Sequence, residues 1–137
     1  GIQGPLYRTS LRTRRVGMFG GGALVMSMRP FARDAVDTVR RVTGGFPRVH
    51  GAPLHEGDPA VLGIADLMAP DFGEPMEPLP GEVALYWGCG LTVQVALADA
   101  GIASFFTHAP GKMLVTDRLN AELAMPPVVF PPAKVLQ

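Results

Sequence analysis

The chain has 137 residues, 47% of them hydrophobic and 18% charged, with no formal net charge, a composition that excludes a disordered tail. Its length suits one domain, or one domain plus a small lobe. No apolar run approaches the ~20 residues needed to span a bilayer, no charged-then-apolar leader is visible, and the single cysteine, Cys89, excludes an internal disulfide framework. The expectation is a cytoplasmic protein in a reducing compartment.

In chain order, Tyr7–Leu11 reads as a short strand and the basic, glycine-rich run 12–22 as a loop. Ala23–Met28 is a compact apolar strand that Pro30 is expected to stop. From Pro30 a helix is predicted, because Ala32, Ala35, Val36, Val39 and Val42 form one apolar stripe and Gly44-Gly45 supplies a stop. Residues 46–59 read as a loop carrying His50 and His55, and 61–68 as a short apolar segment. Residues 69–81 are acidic and rich in proline. Val83–Trp87 is predicted as a strand, Gly88-Cys89-Gly90 as a tight turn, and Thr92–Ala100 as a helix with Thr92 at its N-cap and Gly101 as its stop. Ser104–Thr107 and Met113–Val115 read as further strands, and the proline-rich end as extended.

Strand, turn, helix and strand over 82–107 make a βαβ pattern, which implies a parallel pair in a mixed sheet. The fold expected is therefore α/β. Residues 1–68 would form a smaller α+β lobe near the N-terminus, 69–81 a connection, and 82–137 part of the main domain. In such sheets ligands gather beyond the carboxyl ends of strands. Gly88-Cys89-Gly90 and His108-Ala109-Pro110-Gly111 both follow strands in this reading, so a site is expected there.

Cys89 sits where backbone amides and a helix N-terminus would lower a thiol's pKa or hold an oxyanion. It reads either as a nucleophile or as a small buried residue in a tight corner, with the amides of Gly90, Leu91 and Thr92 the stronger candidates. Thr92 and Gln94 lie in the first turn of the same helix. His108, after an apolar strand, suits a general acid or base, and Asp117 an orienting carboxylate. His50 and His55, five residues apart across Pro53, lack helical metal-ligand spacing, and no metal or organic cofactor is expected.

The two halves differ in charge. Residues 1–50 hold nine arginines against Asp34 and Asp37, a net +7, while 51–137 hold three basic residues against ten acids, a net −7. Without aromatic interleaving or a nucleic-acid motif, the arginines point to pairing within the molecule or to a small anionic ligand.

Several segments in order resemble one family. They are Tyr7-Arg8-Thr9, residues 25–30 (VMSMRP), 49–59 (VHGAPLHEGDP), 63–67 (GIADL), 70–73 (PDFG), 81–83 (GEV), 86–94 (YWGCGLTVQ) and 107–117 (THAPGKMLVTD). The resemblance, running from Tyr7 to about Asn120, is to the D-glutamate cyclase family, and to the C-terminal half of its usual chain. Two departures stand out: Lys112 replaces a histidine usual in the family, and Val93 a proline at the helix start. The resemblance implies a lyase expelling water from a small amino or carboxylic acid, with D-glutamate closing to 5-oxo-D-proline. On that reading His108, Asp117 and Cys89 are catalytic candidates. Gly90, Thr92, Gln94, Arg29, His50, His55 and Lys112 are substrate-binding candidates, with Arg8 an alternative carboxylate clamp. The partners implied are a small acidic substrate and a second chain carrying the missing half, or a homo-oligomer, with no nucleic acid or membrane. The alternative role is a complementing or non-catalytic subunit of a split enzyme.

Overall fold

The computed structural model describes residues 4–109, 112 and 115–125. Its elements are β1 (Leu6–Arg12), β2 (Ala23–Ala32), α1 (Val36–Gly44), β3 (His55–Glu56), β4 (Glu82–Gly88), α2 (Leu91–Asp99) and the short α3 (Asn120–Leu123). The strands form one open antiparallel sheet in the order β1-β2-β4-β3, so the protein is mixed α/β.

β2 is the spine because its residues pack on both sides. Val25, Met26 and Met28 are completely buried, as expected of a strand with layers above and below it. Pro30 does not stop it, contrary to the sequence expectation, and pairs with Ala84. The amide of Met28 donates to Pro5 O on the β1 side. Pro30, two residues on, turns its nitrogen to that same side, beyond the last β1–β2 pair at Leu6–Ser27. No ladder bond among the described residues is lost there, which is the condition under which a sheet tolerates proline. The helix consequently starts later than Pro30, with a 3-10 turn at Arg33–Ala35 leading into α1.

Alternation along β2 and β4 sorts the side chains onto two faces. On one, Met26, Met28, Ala84 and Tyr86 pack with Tyr7 of β1 beneath Leu62 and Ile64. On the other, α1 covers Leu85 and Trp87 through Val36 and Val39. α2 covers Val25 and Leu6 on that same face through Leu91 and Val95. Ser27, Arg29 and Phe31 share this helical face, and the Phe31 ring meets Trp87 edge-on at 6.0 Å.

The turn from β4 into α2 is fastened to one residue of β2. Cys89 N–H donates to Val25 O at 2.9 Å. The Thr92 hydroxyl accepts from Val25 N–H at 3.0 Å and donates to Val25 O at 3.2 Å. These bonds carry the β2–β4 ladder past its last pair, Met26–Gly88. Thr92 is therefore not the N-cap expected of it: Gly90 caps α2, and the Thr92 side chain serves the sheet.

The expected βαβ unit is corrected in its second strand. α2 forms and stops at Gly101, whose φ of +70° suits glycine. Residues 104–107 are not a strand. β4 is already hydrogen-bonded to β2 along one edge and to β3 along the other, so no place beside it is open to a parallel strand. Within the expected strand Met113–Val115, residues 113 and 114 lie outside the described residues, as does the proline-rich end.

Two buried tyrosines differ in hydrogen bonding. Tyr7 donates to Leu67 O at 2.6 Å. The Tyr86 hydroxyl, fully buried, has no partner among the described residues. Tyr7→Phe should therefore cost about 1 kcal/mol in a denaturant melt, while Tyr86→Phe should be neutral or stabilising. Burial pushes both phenols up to about 12 from 10.0, with the other tyrosine and Asp66 adding at Tyr7 and Asp58 at Tyr86. The folded state thus favours the neutral phenols, and their contribution is complete below pH 10 and lost as pH rises toward 12. A stability profile flat across that interval, or unaltered in the double phenylalanine variant, would refute the assignment. Thr92→Val should cost about 1–3 kcal/mol by stranding the Val25 amide.

Candidate functional site

The helical face of the sheet is not covered continuously. Between the C-terminal end of α1, the loop after it and the strands lies a cavity of about 360 Å³. Its floor is Ser27, Arg29 and Trp87, and its wall is Thr43, Phe46, Val49, His50 and Gly51. The volume falls in the range of small-molecule sites, and a mostly apolar lining with a few polar groups is their usual make-up.

Several of those polar groups are already fixed in place. Trp87 donates its indole N–H to Gly51 O at 3.0 Å, pinning the loop to β4. The Thr43 hydroxyl donates to Val39 O at 2.8 Å within α1. His50 Nδ1 lies 2.9 Å from Gly88 O. A carbonyl only accepts, so Nδ1 carries the proton and Nε2 of the neutral ring keeps its lone pair. Arg29 donates from Nη1 to Met28 O at 2.7 Å. Its guanidinium also lies on Gly4, where any Cβ would collide with it. That leaves the remaining guanidinium N–H groups, the Ser27 hydroxyl and the basic nitrogen of His50 as the groups this lining offers to a ligand. A guanidinium beside a hydroxyl suits a carboxylate.

The other residues singled out from sequence fall into separate places. His108 lies against Gly90, whose added Cβ would stand 3.2 Å from His108 Cε1, and Gln94 Nε2 donates to His108 O at 3.0 Å. His108, Gly90 and Gln94 therefore do meet at the start of α2. His50 reaches the same glycine-cysteine turn through Gly88, so the two histidines flank it. None of Cys89, Gly90 and His108 lines the 360 Å³ cavity. Cys89 is half-buried and packs against the cluster of Leu6, Val25, Leu91 and Val95. The Thr92 amide closes on Cys89 O at 3.0 Å, which removes it from the donors open to an oxyanion.

His55 stands on the opposite face of the sheet from the cavity floor. It pairs in register with Tyr86, tilts over that ring at 5.5 Å and bonds through Nε2 to Asp58 O at 2.8 Å. The structure thus separates His55 from His50. Arg8 is engaged elsewhere too, 4.0 Å from Asp71 and 5.8 Å from the Phe72 ring centre. Together with Tyr7, Asp66 and Asp71 it borders a smaller cavity of about 190 Å³. Lys112 and Asp117 are exposed and line neither cavity. Among the described residues, no cluster of three or more histidine, cysteine or carboxylate side chains could hold a metal ion.

Ser27, Thr43, Phe46, Val49 and Trp87 were not singled out as site residues from sequence. A usable signal was present in β2, where Ser27 and Arg29 interrupt an apolar strand two residues apart and so share a face. Nothing local marks Thr43 or Phe46, which reach the cavity only because α1 packs across Leu85 and Trp87.

Comparison with known proteins gives a consistent result. A Burkholderia lata protein named "putative hydro-lyase" is 52% identical over 122 residues, covering 88% of this chain and 47% of its own. Proteins of that name from Paracidovorax citrulli and Bordetella petrii are 51% and 50% identical. They are covered over 85% and 91% of this chain and 43% and 47% of their own. The chain thus spans about half the length of the curated relatives it matches. The family model for D-glutamate cyclase matches residues 1–117, and the chain belongs to that family.

Proposed function

We propose that this chain contributes the binding half of a lyase that expels water from a small amino acid, with D-glutamate closing to 5-oxo-D-proline as the specific reaction. The observation that carries this reading is the cavity itself, which sets a guanidinium, a hydroxyl and a basic imidazole around a space sized for a small amino acid. Family membership and the hydro-lyase names of the relatives support the reaction class.

The chemistry has clear demands. The amine must lose a proton before it can attack, the carbonyl oxygen of the attacked carboxyl must be stabilised as an oxyanion, and the departing oxygen must leave as water. In the proposed arrangement Arg29 and Ser27 hold the carboxylate at C1, and His50 Nε2 takes a proton from the ammonium. The nitrogen attacks the side-chain carboxyl carbon, a C–N bond forms and a C–O bond breaks. The two protons lost from nitrogen leave with the oxygen as one water. Phe46, Val49 and Trp87 give the cavity apolar walls that favour amine over ammonium. Holding the two ends of the substrate at reacting distance supplies a large share of the rate.

His108 lies outside the cavity lining, across the Gly88–Gly90 turn; it is the proposed acid for a substrate whose side-chain carboxyl extends from the cavity over that turn toward the Gly90 and Leu91 amides, with Gln94 steadying the His108 backbone. Asp117 and Lys112 are exposed and Cys89 packs against Leu6, Val25, Leu91 and Val95, so none of the three is given a step. A second reading has a specific observation behind it. On that reading the chain is one subunit of a split enzyme and turns over substrate only with its complement; the observation is that it spans about half the length of the relatives it matches.

The test is conversion of D-glutamate to 5-oxoproline, followed by mass spectrometry on the chain alone and with the complementary half of the Burkholderia lata relative. Arg29→Leu should raise KM at least tenfold, and His50→Gln should lower kcat by ~10²-fold or more, the size expected of a lost general base. His108→Ala should lower kcat with little change in KM. If Arg29→Leu and His50→Gln both leave turnover intact, the cavity is not the site. If neither the chain nor the reconstituted pair forms product, the cyclase reading fails.

A further inference from the structure

Continuing the Leu6–Ser27 register by two residues sets Pro5 opposite Met28 and Gly4 opposite Arg29, and the Met28 amide does donate to Pro5 O at 3.1 Å. In an antiparallel pair of this kind a second bond runs back, from the amide of residue 5 to Met28 O. Proline has no N–H to give. Leu6 does not supply the bond either, since its amide and carbonyl are turned the other way onto Phe72, at 2.9 and 3.2 Å. Met28 is completely buried, and a buried carbonyl is rarely left without a donor. The Arg29 side chain provides one by folding back so that Nη1 donates to Met28 O at 2.7 Å. That path crosses Gly4, where an added Cβ would collide with Nη1 and stand 2.6 Å from Cζ. Gly4 is not among the glycines with positive φ, so the backbone itself does not ask for glycine there.

We infer that Gly4 and Pro5 are positioning residues for Arg29: the missing amide of one and the missing side chain of the other hold the guanidinium in a single place at the cavity floor. Arg29 is exposed and makes no ion pair among the described residues, and a long side chain so placed ordinarily samples many rotamers. Tied at Nη1, it presents its remaining N–H groups beside the Ser27 hydroxyl before any ligand arrives. A carboxylate then binds without having to order the side chain first. A residue other than proline at position 5 would give Met28 O its ordinary partner and release the guanidinium. A side chain at position 4 would push the guanidinium off its seat. Neither Gly4 nor Pro5 lines the cavity, so both act through Arg29. The inference deepens the reading of the cavity as a carboxylate site and rests on that reading for the ligand.

Trp87, the single tryptophan, lies in the cavity floor, so its fluorescence reports occupancy there. The experiment titrates the full chain with D-glutamate and records thermal melts without it. Gly4→Ala and Pro5→Ala should each raise Kd about 3–10-fold, the penalty for ordering one long side chain on binding. In the Arg29→Leu chain, which has no guanidinium to hold, neither should weaken binding further. In the melts, Arg29→Leu should lower Tm by about 2–4 °C by stranding Met28 O. Pro5→Ala in that same chain should restore it, because the new amide takes the carbonyl. If Arg29→Leu binds poorly while Gly4→Ala and Pro5→Ala both bind like the unaltered chain, the inference is overturned and the cavity reading stands. Binding losses that persist undiminished in the Arg29→Leu chain, or melts in which the effects of Pro5→Ala and Arg29→Leu simply add, would also overturn it. Absence of binding by the unaltered chain would defeat the cavity reading instead. The melts would then decide by themselves whether Pro5 and Arg29 are coupled through Met28 O, restoration supporting the inference and additivity refuting it.

Discussion

The antiparallel register of β2 against β4, from Met26–Gly88 to Ala32–Glu82, is the constraint on which the rest of the molecule depends. It places Ser27 and Arg29 on the same face as Trp87, and Met26 and Met28 on the other with Tyr86. A slip of one residue would exchange the faces. Two core methionines would then meet the cavity, and a guanidinium would enter the cluster around Tyr7. Buried apolar surface on one face and a charged group on the other make that exchange costly, so the hydrophobic pattern that folds the sheet also places Ser27 and Arg29 at the cavity.

Backbone carbonyls then decide what the polar side chains can do. Gly88 O fixes the proton of His50 on Nδ1, Gly51 O holds the Trp87 indole, and Val25 holds both Cys89 and Thr92. In each case a side chain or turn close to the cavity is oriented by a strand or by a loop fastened to one. Such support gives a site its precision, because a ring held at one nitrogen presents the other in a defined direction. His55 shows the same principle without the same consequence. It too is held by a carbonyl, but on the face of the sheet where Tyr86 and the Pro59–Leu62 turn leave it as part of the packing.

The region after α2 has a different character. α1 packs Val36 and Val39, and α2 packs Leu91 and Val95, against the sheet, whereas 103–107 leave Phe106 in solvent and make no backbone hydrogen bond among the described residues. Local sequence there favours a strand, and the fold offers no neighbour. A strand is stable only when its backbone groups find a ladder, so a local preference goes unrealised where no open strand edge lies alongside among the described residues.

Much of the architecture was legible in the residues. Compact apolar runs marked β2 and β4, the apolar stripe through Val36 and Val39 marked α1, and Gly44-Gly45 and Gly101 marked helix ends, because each is a local preference that the fold did not oppose. The ordered motifs from Tyr7 onward carried the family. Pro30 was misread because its tolerance depends on where β1 ends, which is a pairing fact rather than a local one. Thr92 was misread because the Val25 peptide, 67 positions away in sequence, competes for its hydroxyl. Arg29 and His50 were legible as chemistry. Only packing could join them to Thr43, Phe46 and Trp87 and part them from His55, since a cavity is a property of how α1 lies across the sheet and no single segment encodes it.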